Sequence, residues 1–303
     1  MCSPDFLGIG AQKSGTRWLY ENLKNHPQIS PSPLKEIHYF DLQKKENWKY
    51  HPIQTIDFAS RKRKLLKSHF LSRSKNNLKD IINFRYSMSN FLWDINYFFR
   101  FRNDDWYLNL FSKKLKGANL SGEITPAYSI LPENLVQHIS YLCPNTKIIF
   151  LIRNPVERAW SSAVTTIPNE KKVSDMPFSH FKWAFNRKAS LIRDDYITSI
   201  DIWSKFYNSN NFYIGFFDEI KNNPENLLLD ICDFLGVSTN FSFFENSATK
   251  IFQSSKGIKG KSPQIPKECE LYLYKKNYKL LKKLHERYGS YASKWLEQAN
   301  KIL

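Results

Sequence analysis

The sequence has 303 residues, of which 42% are hydrophobic and 16% aromatic, a content that builds a folded core and excludes disorder along most of the length. No apolar run approaches the ~18 residues that cross a bilayer, the start lacks the features of a secretory leader, and the four cysteines form no CxxC pair. We therefore expect a cytoplasmic protein with reduced thiols, no membrane span and no structural zinc.

The net charge of +17 is unevenly distributed. Residues 43–116 carry 17 Lys/Arg against 6 Asp/Glu, and residues 250–303 carry 13 against 4, while the rest of the chain is slightly acidic. Positive charge concentrated in two segments indicates that an anionic ligand binds at a local site, and we expect no nucleic-acid partner.

The first predicted elements are a buried strand at 6–9 and a helix at 18–24, which ends before Pro27. The loop between them keeps the glycine spacing of the P-loop pattern GxxxxGK[ST] at Gly10 and Gly15, but its lysine, Lys13, precedes the second glycine. A nucleotide kinase uses its lysine and the following hydroxyl to hold phosphates and Mg²⁺. The shifted lysine therefore predicts an anion site that needs no metal.

Residues 33–41 follow as a segment of alternating polar and apolar side chains. If this segment is extended, Glu36 and His38 point to the same side, so that a carboxylate and an imidazole face one substrate. The alternative interpretation is an ordinary surface strand.

The stretch 43–116 is rich in Lys, Arg, Asn and aromatic residues, with aromatics at helix-like intervals in 91–93 and 97–99. We interpret it as a mostly helical insertion. It is a candidate substrate lid in which Trp93 and Trp106 contact the acceptor, and the alternative is a helical patch that covers the sheet.

Two further strand-to-helix units and a helical C-terminal segment complete the pattern. The predicted elements are strands at 147–152 and 212–217, helices at 155–163 and 224–235, the second closed by Gly236, and one or two amphipathic helices at 272–303. Three such units predict an α/β fold, a P-loop-like parallel sheet flanked by helices, in a single domain that spans residues 1–303.

Two of these strand-to-helix turns resemble motifs of the sulfotransferases that use 3′-phosphoadenosine 5′-phosphosulfate (PAPS). The segment KSGTRWL at 13–19 resembles their 5′-phosphosulfate loop, and RNPVERAWS at 153–161 resembles R-x-P-x-x-R-x-x-S, whose first Arg and last Ser hold the 3′-phosphate. The resemblance implies PAPS as the sulfuryl donor, PAP as its product and no metal. The donor-binding residues that it implies here are Lys13, Ser14, Gly15, Thr16, Arg17, Trp18, Arg153 and Ser161.

The segment KEIHYF at 35–40 resembles the K-E-x-H-F-F segment of the heparan-sulfate sulfotransferase-like branch, in which the Glu is the general base. The resemblance implies that Glu36 is the base and that Lys13 stabilises the leaving phosphate. His38 would orient Glu36 or the acceptor, or act as the base itself. Residues 123–128 resemble E-K-T-P-A-Y and imply a substrate-side Tyr128, although Ile124 replaces the lysine that lies close to substrate in glycan-modifying relatives.

The Gly- and Lys-rich stretch at 254–263 is predicted to be a loop. It resembles the S-K-G-R-x-H-P loop that closes on the 3′-phosphate and adenine in the same family. Its register is ambiguous, so the implied donor-binding residues are Lys256 and Gly257 together with Lys259, Gly260 and Lys261.

The resemblance implies transfer of the sulfuryl group of PAPS to a hydroxyl or amine of a small-molecule natural product. The absence of the glycan-side lysine favours this acceptor, and a glycan O-sulfotransferase is the alternative. A P-loop kinase and a noncatalytic nucleic-acid or heparin binder are weaker alternatives, because neither explains both phosphate motifs.

Overall fold

The computed structural model describes residues 3–42, 88–112, 118–250 and 263–303. Within them a parallel five-stranded sheet has the order β2-β3-β1-β4-β5. Its strands are β1 Phe6–Gly10, β2 Ile29–Pro31, β3 Leu120–Ile124, β4 Lys147–Ile152 and β5 Phe212–Phe216. Parallel neighbours need crossover connections, which helices supply, and this confirms the predicted α/β architecture.

The helices of the described ranges connect and cover these strands. They are α1 Thr16–Leu23, α2 Met88–Phe99, α3 Asp104–Asn109, α4 Glu133–Leu142, α5 Pro155–Val164, α6 Phe178–Asn186, α7 Lys188–Asp194, α8 Tyr196–Ser204, α9 Phe217–Asn222, α10 Pro224–Leu235, α11 Lys267–Tyr288 and α12 Ser290–Ile302. Short 3₁₀ turns lie at Phe40–Leu42, Pro126–Ile130, Val173–Asp175 and Phe241–Phe243. In this part of the chain no helix is long and apolar enough to span a bilayer.

Two hydrophobic clusters lie on the two faces of the sheet. Successive residues of a strand point to opposite faces, so in β4 Phe150 belongs to one cluster while Ile149 and Leu151 belong to the other. Helices α1 and α10 pack on the second face, and α4, α5, α8 and α11 pack on the first. The central strands are thereby buried on both faces, which explains their continuous apolar sequences.

Local signals place several element ends where the sequence predicts them. Pro155 occupies the first turn of α5, and the side chain of Asn154 accepts a hydrogen bond from the Val156 N–H. Helix α10 ends at Gly236 in the left-handed conformation, with φ 76°. The C-terminal segment forms two helices, and the first begins at Lys267, before the predicted start.

Two strands were not predicted from the sequence. Strand β2 has only three residues, and β3 carries Ser121 and Glu123 in an otherwise short apolar run. Neither has the length or the continuous apolarity that identifies a buried strand. Of the predicted insertion, the described residues 88–112 contain α2 and α3, while 43–87 and 113–116 lie outside the described residues.

Candidate active site

The loop after β1 leads into an uncapped helix. Gly15 precedes α1 with φ 92°, in the left-handed region, and a Cβ at this position would overlap the side chain of Ile220. Glycine is therefore required here by both conformation and space. No side chain caps α1 and no acidic residue lies in its first turn. The first N–H groups of α1 and the positive end of its dipole can thus receive an anion.

The other predicted loop residues differ in exposure. Lys13 is half-buried, Ser14 and Thr16 are buried, and the side chain of Arg17 is exposed. The Trp18 side chain is buried, and its Nε1 donates to the carbonyl of Ala248 across 2.6 Å. This bond ties α1 to the segment that precedes residues 251–262.

Arg153 follows β4 and reaches the first loop. Its Nη1 donates to the carbonyl oxygen of Lys13 across 3.3 Å, and its guanidinium lies 4.3 Å from the ring centroid of Phe217. Its Nε and Nη2 donate to Glu157 Oε2 at 2.9 and 2.6 Å. Ser161 lies about two turns along α5 and is half-buried. The two predicted phosphate motifs therefore meet at the Arg153–Lys13 contact.

The pKa of Lys13 is shifted by its burial and by the charges of two cations and one carboxylate. Burial lowers the pKa of Lys13, the charges of Arg158 and then Arg153 lower it further, and the charge of Glu36 opposes them. The structure thus brings Lys13, Arg153 and Glu36, which come from three separate motifs, within electrostatic range of one another. An anion placed among these cations would be stabilised, and it would reduce their mutual repulsion.

Glu36 and His38 form a hydrogen-bonded chain that continues to Asp41. His38 Nε2 lies 3.3 Å from Glu36 Oε2, and His38 Nδ1 lies 2.7 Å from Asp41 Oδ2. Lys35 forms an ion pair with Glu36 Oε1. The sequence prediction gave Asp41 no role, although its i,i+3 spacing from His38, across the start of a 3₁₀ turn, was a usable signal.

The backbone of this segment corrects one sequence prediction. Glu36 and His38 were expected to share a face of an extended strand, but both lie in the left-handed region, with φ 67° and 56°. Their side chains do meet, through two left-handed turns of the backbone and not through strand alternation. L-residues rarely adopt this conformation, which costs about 1–3 kcal/mol at each position unless the surroundings fix it.

The pairing fixes the protonation state of both groups. Burial raises the pKa of Glu36, but the hydrogen bond from His38 and the charge of Lys35 outweigh it, and the pKa falls to about 2. Burial lowers the pKa of His38, but its hydrogen bonds to Asp41 and Glu36 outweigh this effect and raise the pKa to about 10. At neutral pH Glu36 is therefore a carboxylate and His38 an imidazolium.

The three aromatic residues predicted to bind substrate are all buried. Trp93 and Trp106 have 6% and 2% of their surface exposed, and their Nε1 atoms donate to the carbonyls of Leu110 and Asn96. Tyr128 is wholly buried. The burial of Trp93 and Trp106 favours the alternative interpretation of the insertion, in which its described part is a helical cover that packs behind the site. Of the predicted closing loop at 254–263, residues 254–262, which include all five predicted donor-binding residues, lie outside the described residues.

Comparisons with known proteins agree with this geometry. The family model described as "Sulfotransferase family" matches residues 4–241. Human heparan sulfate glucosamine 3-O-sulfotransferase 6 is 29% identical over 164 residues, which are 52% of this chain and 47% of the relative, so the match spans about half the length of that curated relative.

Solved structures show the same fold. A sulfotransferase from Alicyclobacillus acidocaldarius superposes with a TM-score of 0.61 at 18% identity, over 97% of this chain and 99% of that chain. A mouse sulfotransferase complexed with PAP superposes with a TM-score of 0.51 at 16% identity, over 98% of this chain and 89% of the other. The family match covers all five strands of the described sheet and both strand-to-helix motifs, and the chain belongs to the sulfotransferase family.

Proposed function

We propose that this protein transfers the sulfuryl group of PAPS to a hydroxyl or amine of an acceptor, with Glu36 as the general base. The observation that carries the proposal is the convergence on Lys13 of the α1 N-terminus, Arg153 and the charge of Glu36. An anion site with a carboxylate beside it has the two parts that sulfuryl transfer needs, charge neutralisation and an oriented proton acceptor.

The residues fit a ligand with two separate anionic groups. The α1 N–H groups and Lys13 would hold the 5′-phosphosulfate, while Arg153 and Ser161 would hold the 3′-phosphate. The predicted loop with Lys256 and Lys259 would close over the nucleotide. PAPS supplies the sulfuryl group and a phosphate leaving group. Lys13 is half-buried, and its ammonium group would stabilise the negative charge that develops on the bridging oxygen.

The protonation states favour Glu36 over His38 as the base. With its pKa raised to about 10, His38 already carries a proton at neutral pH, whereas Glu36 is ionised. Glu36 would accept the acceptor's proton, and His38, held by Asp41, would keep the carboxylate oriented. The low pKa of Glu36 keeps its carboxylate ionised at neutral pH, so that it is available to accept the proton that the acceptor loses in the transition state.

We propose a small-molecule natural product as the acceptor, with a glycan hydroxyl as the second candidate. Position 124, where glycan-modifying relatives carry lysine, is an isoleucine whose wholly buried side chain lies over Gly8, so it offers no cation to an acidic glycan. The similarity to a heparan sulfate glucosamine 3-O-sulfotransferase supports the glycan.

Calorimetry with PAP, and in parallel with ATP plus Mg²⁺, tests the donor half of the proposal. We expect PAP to bind and ATP with Mg²⁺ to bind at least tenfold more weakly. The reverse preference would support the P-loop kinase instead. A steeply salt-dependent affinity for any polyanion, without selective PAP binding, would support the noncatalytic binder.

Transfer of radiolabelled sulfate from PAPS tests the acceptor half. One arm offers a panel of small phenols, alcohols and amines, and the other offers heparan sulfate oligosaccharides. Label incorporated only in the first arm supports the natural-product acceptor, and label only in the second supports the glycan. Glu36→Gln is the control, because it should abolish incorporation in either arm while PAP still binds.

A further inference from the structure

A buried carboxylate lies directly behind the Glu36–His38 pair. Glu123, near the end of β3, has no exposed surface. Its Oε1 accepts hydrogen bonds from the hydroxyls of Tyr107 at 2.7 Å and Tyr128 at 3.0 Å. Its Oε2 accepts from the hydroxyl of Thr125 at 2.5 Å and from the backbone N–H of Ile37 at 3.3 Å.

These four bonds use the full capacity of the carboxylate. An ionised carboxylate has about four acceptor positions, and here each oxygen already takes two donors. Burial raises the pKa of Glu123, while the hydrogen bonds from Thr125, Tyr107 and Tyr128 and the charge of His38 lower it. Glu123 therefore has no lone pair left for an acceptor's proton, which excludes it as a second base and leaves it an organising role.

The groups that Glu123 holds include the backbone on both sides of His38. The Ile37 N–H, between the two left-handed residues Glu36 and His38, donates to Glu123 directly. The Tyr39 N–H donates to the Tyr128 hydroxyl at 3.0 Å, and that hydroxyl donates to Glu123. The backbone N–H groups on both sides of His38 are thus bonded to Glu123, one directly and the other through the Tyr128 hydroxyl. Hydrogen bonds of this kind can offset the cost of two left-handed residues.

The helical insertion takes part through Tyr107 and Asp104 of α3. The rings of Tyr39 and Tyr107 stack with centroids 5.0 Å apart and an interplanar angle of 14°. The Tyr39 hydroxyl donates to Asp104 Oδ1 at 2.6 Å. Helix α3 therefore contacts the segment that carries Glu36 through Asp104, and β3 contacts the same segment through Glu123.

We infer that Glu123 is a positioning residue which, through Tyr128 and Ile37, sets the left-handed backbone of Glu36 and His38 and so aligns the base. The inference rests on the proposed role of Glu36. It assigns α3 of the insertion to the same network, because Tyr107 donates to the same oxygen of Glu123 as Tyr128 does.

Tyr128→Phe tests the inference, because it removes one hydroxyl and with it both the bond to Glu123 and the bond to the Tyr39 N–H. The matched control is Tyr207→Phe, since Tyr207 is an equally buried tyrosine whose hydroxyl donates to the Cys143 carbonyl at 3.1 Å. Both variants lose buried hydrogen bonding of a tyrosine hydroxyl, but only the first loses a hydrogen bond to the 35–41 segment.

Two readouts separate positioning from a general loss of stability. We expect Tyr128→Phe to lower kcat about tenfold with little change in the KM for PAPS, because the two lost hydrogen bonds loosen the base without removing it. We also expect the pKa of His38, followed by NMR titration, to fall from about 10 towards its ordinary value of 6.5 as its bonds to Glu36 and Asp41 loosen. Tyr207→Phe should change neither.

The NMR titration keeps the inference separate from the proposed function, because it needs no turnover. A lowered His38 pKa in Tyr128→Phe would support the positioning role even if the wild-type protein transferred no sulfuryl group from PAPS, a result that would overturn only the function. A wild-type kcat and an unchanged His38 pKa in Tyr128→Phe would overturn the inference.

Tyr107→Phe keeps the test open should Tyr128→Phe fail to fold. It removes only one bond to Glu123 Oε1 and leaves the segment's own bonds in place. We expect a smaller shift of the His38 pKa in the same direction, and no shift would again contradict the inference.

Discussion

Arg153 Nη1 donates a hydrogen bond to the backbone carbonyl of Lys13 across 3.3 Å, joining two residues that lie 140 positions apart in sequence. The contact ties the end of β4 to the loop after β1, so that the guanidinium proposed to hold the 3′-phosphate also supports the loop. A change at Arg153 therefore reaches the group that is proposed to stabilise the leaving phosphate.

Lys13→Ala and Arg153→Ala should fail in different ways. We expect Lys13→Ala to lower kcat by roughly 10²-fold or more with a small effect on PAP affinity, because Lys13 meets charge that develops only in the transition state. Arg153→Ala should weaken PAP binding by about 10–100-fold, because it loses charged hydrogen bonds to the 3′-phosphate. Calorimetry and steady-state kinetics check both. Unchanged PAP affinity in Arg153→Ala would contradict its assignment to the 3′-phosphate.

Glu157 forms an ion pair with Arg153, the residue that is proposed to hold the 3′-phosphate. Its Oε2 accepts from Nε and Nη2 of that guanidinium and from Lys221 Nζ at 3.2 Å. Glu157→Gln should therefore release Arg153 and tighten PAP binding by about 2–5-fold in calorimetry, which corresponds to the free energy of a partly exposed ion pair. Glu133→Gln, which removes the same charge from an exposed pair with Lys205, is the control and should leave PAP affinity unchanged. Weaker binding by Glu157→Gln would show that Glu157 orients Arg153 instead.

The base can be identified by two substitutions. Glu36→Gln keeps shape and removes basicity, so we expect kcat to fall by roughly 10²-fold or more while PAP still binds. His38→Gln removes the imidazolium and loosens Glu36, and a smaller loss is expected. Single-turnover measurements with saturating PAPS give the comparison. Near-normal turnover in Glu36→Gln, with none in His38→Gln, would make His38 the base.

The raised pKa of His38 predicts a specific dependence of stability on pH. The folded pKa, about 10, exceeds the ordinary value of 6.5, so the stability that His38 contributes is fully present below about pH 6.5 and is lost as pH rises towards 10. Urea unfolding of the wild type and His38→Gln at pH 6 and pH 10 checks this. The wild type should lose more stability over that range than His38→Gln, and equal losses would contradict the pairing.

Sequence patterns predicted the parts of this protein that depend on local signals. The buried strands β1, β4 and β5 and the glycine that ends α10 follow from apolar runs and turn residues within a few positions. The short strands β2 and β3 lack such runs. The Ile37–Glu123 bond joins residues 86 positions apart, a distance that local patterns do not encode, so the network behind the base was visible only in the fold.

In the candidate site, too, sequence patterns predicted the residues but not their geometry. The motifs identified Lys13, Glu36, His38 and Arg153. In the structure Arg153 contacts Lys13, the charge of Glu36 acts on Lys13, and His38 contacts Glu36. Their local geometry was not predictable, because the left-handed backbone at Glu36 and His38 depends on hydrogen bonds to distant groups.

The aromatic residues of the insertion offer the last prediction. Trp106 is almost fully buried, packs with tilted rings against Tyr39 and Tyr97, and donates its Nε1 to the Asn96 carbonyl at 2.8 Å. Trp106→Ala should therefore lower the free energy of unfolding by about 3–5 kcal/mol, the usual cost of removing a buried large aromatic. Trp183→Ala, which truncates a tryptophan with 57% of its surface exposed, should cost less than about 0.5 kcal/mol and serves as the control.

Hydrogen exchange distinguishes the two interpretations of the insertion, a helical cover of the sheet and a substrate lid. If α2 and α3 cover the first face of the sheet, peptides from residues 88–112 should be equally protected in the free protein and in the complex with PAP and acceptor, because their buried contacts already exist. Added protection in those peptides that required both ligands would establish the lid that the sequence first suggested. A cover also predicts that the folded Trp106→Ala protein retains wild-type PAP affinity, since the contacts of Trp106 with Tyr39, Tyr97 and Asn96 belong to the core and to the network behind Glu36.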